Sequence, residues 1–471
     1  MKKILLFLAL MLLLGCTTKP PYVPPGGGIV GSSDYVFDIT SLPEITITVP
    51  LEEWNLLLSN YDINRDNEEK VVAHFAFKKN GKVDEIANVG LRLRGNTSRK
   101  RPEGYEGQPH NPINPDWRHA HFSVKFDEYV SKRTFYSIDH LILKWFKDDG
   151  MYCREIYCYD LFKRFGVWTA PRASYAKLTI NIEGGAEPAY FGVYAMIEGV
   201  NDSYLDYRKE QGKWASSKGN LWKAKFSQAD LSNMDDWRMG ISNVTLDSAE
   251  TVEYVYDLKT NKKTGLDAAK SELKDFINNM NPLKSGSVAL KSYLEEHMDV
   301  DLFLRAYAVN VMVGMWDDYW MRANNYYFYF DTNGKFYFIP FDYDNTLGTS
   351  LYVNAGTHDM LNWGPRDGTR VLMRKVLSIQ EYEDRFKEYI KELADANNDL
   401  FYTTKSIARI QSWHAMIEPY IANDTGQDMN LVDVPGSWGN CEFYRILSGN
   451  DEGGENGDAN FFKTKIKSIY W

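Results

Sequence analysis

The most informative run of this chain is Asn325-Tyr326-Tyr327-Phe328-Tyr329-Phe330, Asp331-Thr332-Asn333-Gly334, Lys335-Phe336-Tyr337-Phe338-Ile339-Pro340-Phe341, then Asp342-Tyr343-Asp344-Asn345-Thr346-Leu347-Gly348. Two aromatic β-forming segments flank an Asn-Gly turn, the pattern of a β-hairpin. Almost no polar side chain interrupts them, so the hairpin is expected inside the protein. Acidic residues follow at once. Asp342 and Asp344 stand two apart where the strand ends, and a bend there lets them converge on one cation. Hard oxygen ligands of this kind suit Mg²⁺ or Mn²⁺. Buried carboxylates without a metal or a base beside them would be costly. Asp317, at the end of a helix predicted over 300–315, is placed to accept a proton from an incoming hydroxyl across such a metal.

Outward from the hairpin the pattern changes on each side. Upstream, residues 45–49, 71–77, 89–94, 122–126, 178–182 and 191–196 alternate or cluster β-formers between turn residues, with one helix predicted over 151–165. Helical spacing dominates later, at 267–280, 291–296, 300–315, 370–377, 382–394 and 403–420. The fold class is therefore α+β, with a β-rich N-terminal lobe at 35–200 and a mainly helical C-terminal lobe at 201–471 that carries the hairpin. No repeat of 20 to 50 residues is evident.

The chain has 471 residues, 44% of them hydrophobic and 25% charged, and a net charge of −10. These values exclude disordered and fibrous classes and argue against a general nucleic-acid binder, which would carry the opposite sign. At the front, Lys2 and Lys3 precede an apolar run that ends in Leu13-Leu14-Gly15-Cys16. Residues 1–15 read as a secretory signal, and the last four residues resemble a lipobox, with Cys16 as the lipidated residue. Residues 16–34, rich in Pro and Gly, read as a tether. Together these features predict a bacterial lipoprotein held outside the cytoplasm by a membrane anchor, at the outer membrane or cell surface. Cys153 and Cys158, five apart on the predicted helix, are expected to be buried free thiols. His119 and His121, the one close histidine pair, are expected on a surface strand.

Several catalytic motifs are absent: no Gly-x-x-x-x-Gly-Lys-Ser/Thr loop, no His-Glu-x-x-His and no Gly-x-Ser-x-Gly. In the N-terminal half, Gly90-Leu91-Arg92-Leu93-Arg94-Gly95-Asn96-Thr97-Ser98-Arg99 couples a strand to a small-residue turn of the kind that caps phosphates with backbone amides and guanidinium groups. Lys125, Glu198 and Lys223 are further candidates to line a nucleotide cleft.

In order along the chain, the Arg-Gly-Asn-x-Ser turn, Phe122 to Phe126, Arg154, Ala170-Pro171-Arg172, Asn181, Asn220 to Lys223, the Asn-Asn-Tyr-Tyr strand and Pro-Phe-Asp-x-Asp resemble the spore coat protein H (CotH) kinase family. The resemblance runs from about residue 40 to at least 420. It implies an atypical protein-kinase-like two-lobed fold and transfer of the ATP γ-phosphoryl group to Ser/Thr hydroxyls of a protein substrate. By this resemblance Asp317 is the proton acceptor and Asp342 the principal metal ligand, with Asp344 and Asn325 beside it. Arg94 and Lys125 are nucleotide contacts by the same resemblance. Two positions depart from the family pattern, His119-Ala120-His121 in place of lysines and Phe341 in place of a frequent Trp.

Two other readings use the same residues. Asp342-Tyr343-Asp344-Asn345-Thr346 also spells the Asp-x-Asp-x-Thr loop of haloacid-dehalogenase-like phosphatases, with Asp342 as nucleophile. A lipid-anchored surface or glycan-binding protein whose acidic cluster holds a structural Ca²⁺ is the non-enzymatic alternative. The oligomeric state has no signature in the sequence.

Overall fold

The structure is a computed structural model that describes residues 27–471 except 226, 233, 264, 366, 422–442 and 444–459. The signal segment, Cys16 and most of the tether lie outside the described residues, as does Cys441.

Seven strands close into a barrel: β1 (Glu44–Pro50), β2 (Val71–Lys79), β3 (Lys82–Arg94), β4 (His121–Lys125), β5 (His140–Lys144), β6 (Ala173–Glu183) and β7 (Ala189–Glu198), in the order β1-β2-β3-β4-β5-β7-β6. Alternation drives the closure. Along β1 every second residue is buried, so Ile45, Ile47 and Val49 point inward to meet Phe75, Phe77, Leu91, Phe122 and Leu143. A parallel pairing of β1 with β6 seals the ring. Asn80 and Gly81, at φ 50° and 79°, make the two-residue turn between β2 and β3, a conformation these residue types tolerate best. The described end of the tether is docked, since the Ile29 amide donates to Thr134 O at 2.9 Å and a short helix follows at Ser33–Phe37.

A second sheet has the order β12-β11-β8-β10-β9, built from β8 (Asn220–Ala224), β9 (Met239–Gly240), β10 (Tyr256–Leu258), β11 (Tyr326–Phe330) and β12 (Phe336–Pro340). The expected hairpin is β11 and β12, and every residue of both strands is buried. Asp331 builds its turn, accepting from the amides of Asn333 at 2.9 Å and Lys335 at 3.0 Å. The hairpin is not alone among helices, as the sequence suggested, because β8 pairs along the whole of β11. Gly219 permits that approach: a Cβ there would lie 1.9 Å from Phe330 O. Helices form at Leu266–Met280, Val288–His297, Val300–Met312, Val371–Leu377, Gln380–Ala394 and Thr403–Ile417, close to the expected spans, and Leu266–Met280 and Val300–Met312 pack against this sheet. Elements without a sequence expectation include the helices Leu51–Ile63, Asp202–Glu210 and Asn460–Lys467 and the strands β5, β8, β9 and β10.

Between barrel and sheet runs the helix Arg154–Arg164. The Asp149 carboxylate caps it, accepting from the amides of Cys153 at 3.0 Å and Arg154 at 2.8 Å. Residues 154–159 are buried on all sides, and Cys153 and Cys158 are buried thiols outside any disulfide, as expected. His119 and His121 are buried, contrary to the surface expectation. His119 stacks on Trp145 at 4.7 Å, and His121 Nδ1 accepts from the Trp145 amide at 3.1 Å. His121 opens β4 and His119 precedes it, and both side chains are covered at that end of the barrel.

Candidate functional site

Lys144 is the last residue of β5, and its ammonium is the hub of the site. Nζ lies 2.6 Å from Glu155 Oε2, 2.5 Å from Asp342 Oδ1 and 3.1 Å from Asp344 Oδ2. Three elements converge here: a barrel strand, the first turn of the helix Arg154–Arg164, and the turn after β12. Tyr159 ties two of them together. Its hydroxyl donates to Glu155 Oε1 at 3.2 Å and accepts from the Asp342 amide at 3.1 Å.

Three carboxylates share one ammonium, so the group has a formal excess of negative charge. Burial alone would depress the lysine, but Asp342, Asp344 and Glu155 hold its ammonium well above the usual range. Burial pushes Glu155 up, against the pull of Lys144. Asp342 is held below the usual carboxylate range, because Lys144, then Arg94 and Lys223, outweigh the effect of its burial. Asp344 is pushed up by burial, which Lys144 opposes and Asp342 and Glu155 reinforce. Glu155, Asp342 and Asp344 each offer a carboxylate oxygen, all within 4.8 Å of one another. This hard-oxygen donor set with surplus negative charge fits a divalent cation such as Mg²⁺ or Mn²⁺.

Across from this group lies Asp317, in the loop that follows the helix Val300–Met312 rather than on the helix itself. Asn325 Nδ2 donates to both Asp317 Oδ2 and Asp317 O at 2.9 Å, and Asn324 Nδ2 reaches Oδ1 at 3.4 Å. Burial and then Asp342 raise the Asp317 pKa against the bond from Asn324. The backbone around the site is held in the left-handed region at Ala323, Asn325, Asp342 and Leu347, with φ between 50° and 66°. For residues other than Gly each such conformation costs on the order of 1 kcal/mol. The surroundings fix it: Leu347 N donates to Val313 O at 2.8 Å, and Tyr343 OH to Asn310 Oδ1 at 2.8 Å.

The structure therefore gathers Asp317, Asn325, Asp342 and Asp344, with Arg94 and Lys223 near enough to bias Asp342. Lys223 sits on β8 opposite Tyr327, with its ammonium 5.8 Å from that ring and 5.9 Å from Phe341. Burial, followed by Lys259, Lys225 and Arg94, brings it down to about 7. Among the described residues no carboxylate pairs with Arg94 or Lys223, whereas Lys225 and Lys259 pair with Glu253 and Asp257. Gly95 shapes the turn after Arg94: at φ 113°, a Cβ there would lie 2.7 Å from Ser98 Oγ.

Two candidates are not brought to the group. Lys125, one strand away on β4, pairs with Asp127 at 2.8 Å and Asp139 at 3.1 Å. Glu198 is buried between Arg172 at 2.7 Å and Arg208 at 2.9 Å, a structural clamp at the end of β7. The lysine and glutamate that do stand at the acidic group are Lys144 and Glu155, which sequence reasoning did not single out. Their signal in the sequence is faint: an apolar strand ending in Lys144, with an acidic residue at the first turn of the next helix. The phosphatase reading loses its frame as well, because β12 is antiparallel to β11 at the sheet edge, whereas that loop leaves a strand of a Rossmann-like sheet.

A family model described as "CotH kinase protein" matches residues 91–440. Invasin CotH3 of Rhizopus delemar is 23% identical over 402 residues, covering 83% of this chain and 58% of that protein. Spore coat protein homolog 1 of the same organism is 23% identical over 372 residues, covering 76% and 52%. Invasin CotH2 is 21% identical over 366 residues, covering 75% and 53%. The chain thus spans a little over half the length of the curated relatives it matches.

Proposed function

The chain belongs to the CotH kinase family, and on that premise we propose that it is a two-lobed atypical protein kinase that transfers the γ-phosphoryl group of ATP to Ser/Thr hydroxyls of proteins. The observation that carries this reading is the buried Lys144–Glu155 pair facing Asp342, with Asp317 and Asn325 opposite. Protein kinases use that set of groups: a strand lysine paired with a helix glutamate, a metal-binding aspartate, and a catalytic aspartate with a nearby asparagine.

In this reading Asp342 and Asp344 hold the Mg²⁺ or Mn²⁺, and Glu155 keeps Lys144 in place. The ion would neutralise charge on the phosphate oxygens during transfer. When a nucleotide enters, Lys144 exchanges its contacts with Asp342 and Asp344 for phosphate oxygens while retaining Glu155. Arg94 from the barrel and Lys223 from β8, neither paired with a carboxylate among the described residues, supply positive charge to the phosphate chain. Asp317 accepts the hydroxyl proton, and its raised pKa suits it to that role. Asn325 fixes the carboxylate that receives it. A surface or extracytoplasmic location with a lipid anchor at Cys16 completes the reading. Relatives named as invasins and as a spore coat protein homolog are in keeping with a surface location. Among the described residues no helix is long and apolar enough to cross a membrane.

Thermal unfolding tests the proposal. ATP with Mg²⁺ together should raise the melting temperature more than either alone. If Ca²⁺ alone gives the full effect and ATP adds nothing, the site is a structural metal centre, and the glycan-binding alternative takes its place.

A further inference from the structure

Facing residues on neighbouring strands share one side of a sheet, and the barrel register lines up three of them at the site. Arg94 on β3 faces His121 on β4. Phe122 faces Leu143, so the next rung sets His121 against Lys144 on β5. Their neighbours Leu93, Phe122 and Leu143 fill the barrel core, which turns Arg94, His121 and Lys144 the other way, toward the turn that carries Asp342. Lys144, Arg94 and Asp342 all lie near enough to bias the charge of the His121 ring.

The ring is held by the backbone. Its Nδ1 accepts from the Trp145 amide at 3.1 Å, so its proton resides on Nε2. Burial, then Lys144 and Arg94, oppose a second proton and keep the imidazole neutral. Trp145 is fixed in turn by His119, whose ring stacks on it at 4.7 Å and whose Nε2 lies 3.0 Å from Phe191 O. The tautomer of His121 and the direction of its Nε2–H are therefore set by the fold.

The residue is 3% exposed, yet among the described residues no acceptor meets Nε2, which is not sealed from solvent. A nearly buried donor without a protein acceptor favours a ligand oxygen. The acids around it are committed elsewhere, Asp342 and Asp344 to Lys144, and Glu155 to Lys144 and Tyr159. No surplus of positive charge is needed, because Lys144 is shared with three carboxylates and the histidine is neutral. What the three strands offer is a line of N–H donors. A strand spacing of about 4.8 Å makes that line roughly 10 Å wide, a span for linked phosphates rather than for a single one.

We propose that His121 is a phosphate-binding residue, its Nε2–H donating to an oxygen of a polyphosphate chain laid between Arg94 and Lys144. Calling that chain the triphosphate of ATP rests on the kinase reading; the preference for linked phosphates does not.

The test is isothermal titration calorimetry of the full chain in Mg²⁺, with tripolyphosphate, inorganic phosphate and ATP. Tripolyphosphate should bind at least tenfold more tightly than inorganic phosphate, and equal affinities overturn the proposal. His121→Asn keeps an acceptor for the Trp145 amide but loses the distal donor, and it should weaken tripolyphosphate and ATP about tenfold. His121→Gln restores a donor at the distal position and should recover most of that affinity. If the ring serves only to hold the Trp145 amide, the Asn variant binds as the parent does and the Gln variant is the weaker one, which overturns the proposal. Should neither variant fold, the parent labelled with ¹⁵N in histidine decides: tripolyphosphate with Mg²⁺ should move at least one Nε2–H resonance, and no movement is a refutation. Binding that depends on His121 without phosphoryl transfer keeps the phosphate site and sinks the kinase reading. Transfer that survives unchanged in His121→Asn does the reverse.

Discussion

Replacing Lys144 with Met removes the one cation shared by three carboxylates, and the consequence can be worked from the burial of each partner. Lys144 and Glu155 have side chains only 9% and 5% exposed, so Lys144→Met leaves Glu155 as a buried carboxylate without its counter-ion. Breaking such a pair costs about 3–5 kcal/mol. Asp342 and Asp344, at 34% and 45% exposure, are partly solvated and add no more than about 1 kcal/mol between them. A loss of about 4 kcal/mol at pH 7.5 is expected in urea unfolding. The pH dependence follows from the raised Glu155 pKa, which rises further without Lys144. A carboxyl whose folded pKa lies above its unfolded value favours the fold below that unfolded value. The benefit disappears as pH rises through the folded pKa. The deficit of the variant should therefore shrink between pH 7.5 and pH 5. Adding Glu155→Gln removes the stranded charge and should recover more than half of the loss. The reasoning is refuted if the single variant stays within about 1 kcal/mol of the parent at pH 7.5, or if the double variant is as unstable as the single one.

Other expectations address other parts of the account. Asp317→Asn should preserve the melting shift given by ATP and Mg²⁺ while lowering phosphoryl transfer by about 10²-fold or more, measured under saturating nucleotide. Asp342→Ala should abolish the metal-dependent part of that shift, which at about 100 times Kd amounts to roughly 2.7 kcal/mol in the parent. Lys465 is fully buried, donates to Ala355 O at 2.8 Å and has its pKa lowered to about 7 by desolvation. Its unfolded value of 10.5 is higher, so its burial penalty is full below pH 7 and disappears toward pH 10.5. Lys465→Met should thus stabilise the fold by about 2 kcal/mol at pH 7.5 once the lost hydrogen bond is deducted. That gain should decline as thermal scans move to pH 10.

How much of this was legible depended on the range of the physics involved. The hairpin β11–β12 could be read because its turn chemistry and aromatic runs are local, and the long C-terminal helices because their apolar spacing is. Asp317, Asp342 and Asp344 stood out as acids beside apolar runs. Pairings between distant segments left no comparable mark. Nothing within Asn220–Ala224 announces that it pairs with β11 about a hundred residues later. Lys144 ends a five-residue strand that no turn signal frames, and its partner Glu155 is one acid among 64 Asp and Glu residues. Lys125 and Glu198 looked equally suitable in isolation. Only the barrel register, which sets Lys125 opposite His140 at the start of β5 and Lys144 at its end, decides which lysine faces the hairpin. His119 and His121 were misjudged for the same reason, since the alternation of a short strand says which residues share a face but not which face is covered.

Phosphoryl transfer by the carboxylates around Lys144 and Asp317 is the central proposal. Incubation of the purified chain with ATP labelled at the γ-phosphate, in Mg²⁺ or Mn²⁺, measures this directly through label recovered on Ser or Thr. Label should appear on protein and be lost in Asp317→Asn and in Asp342→Ala. Label that is absent with the parent under both metals, or undiminished in both variants, would contradict it.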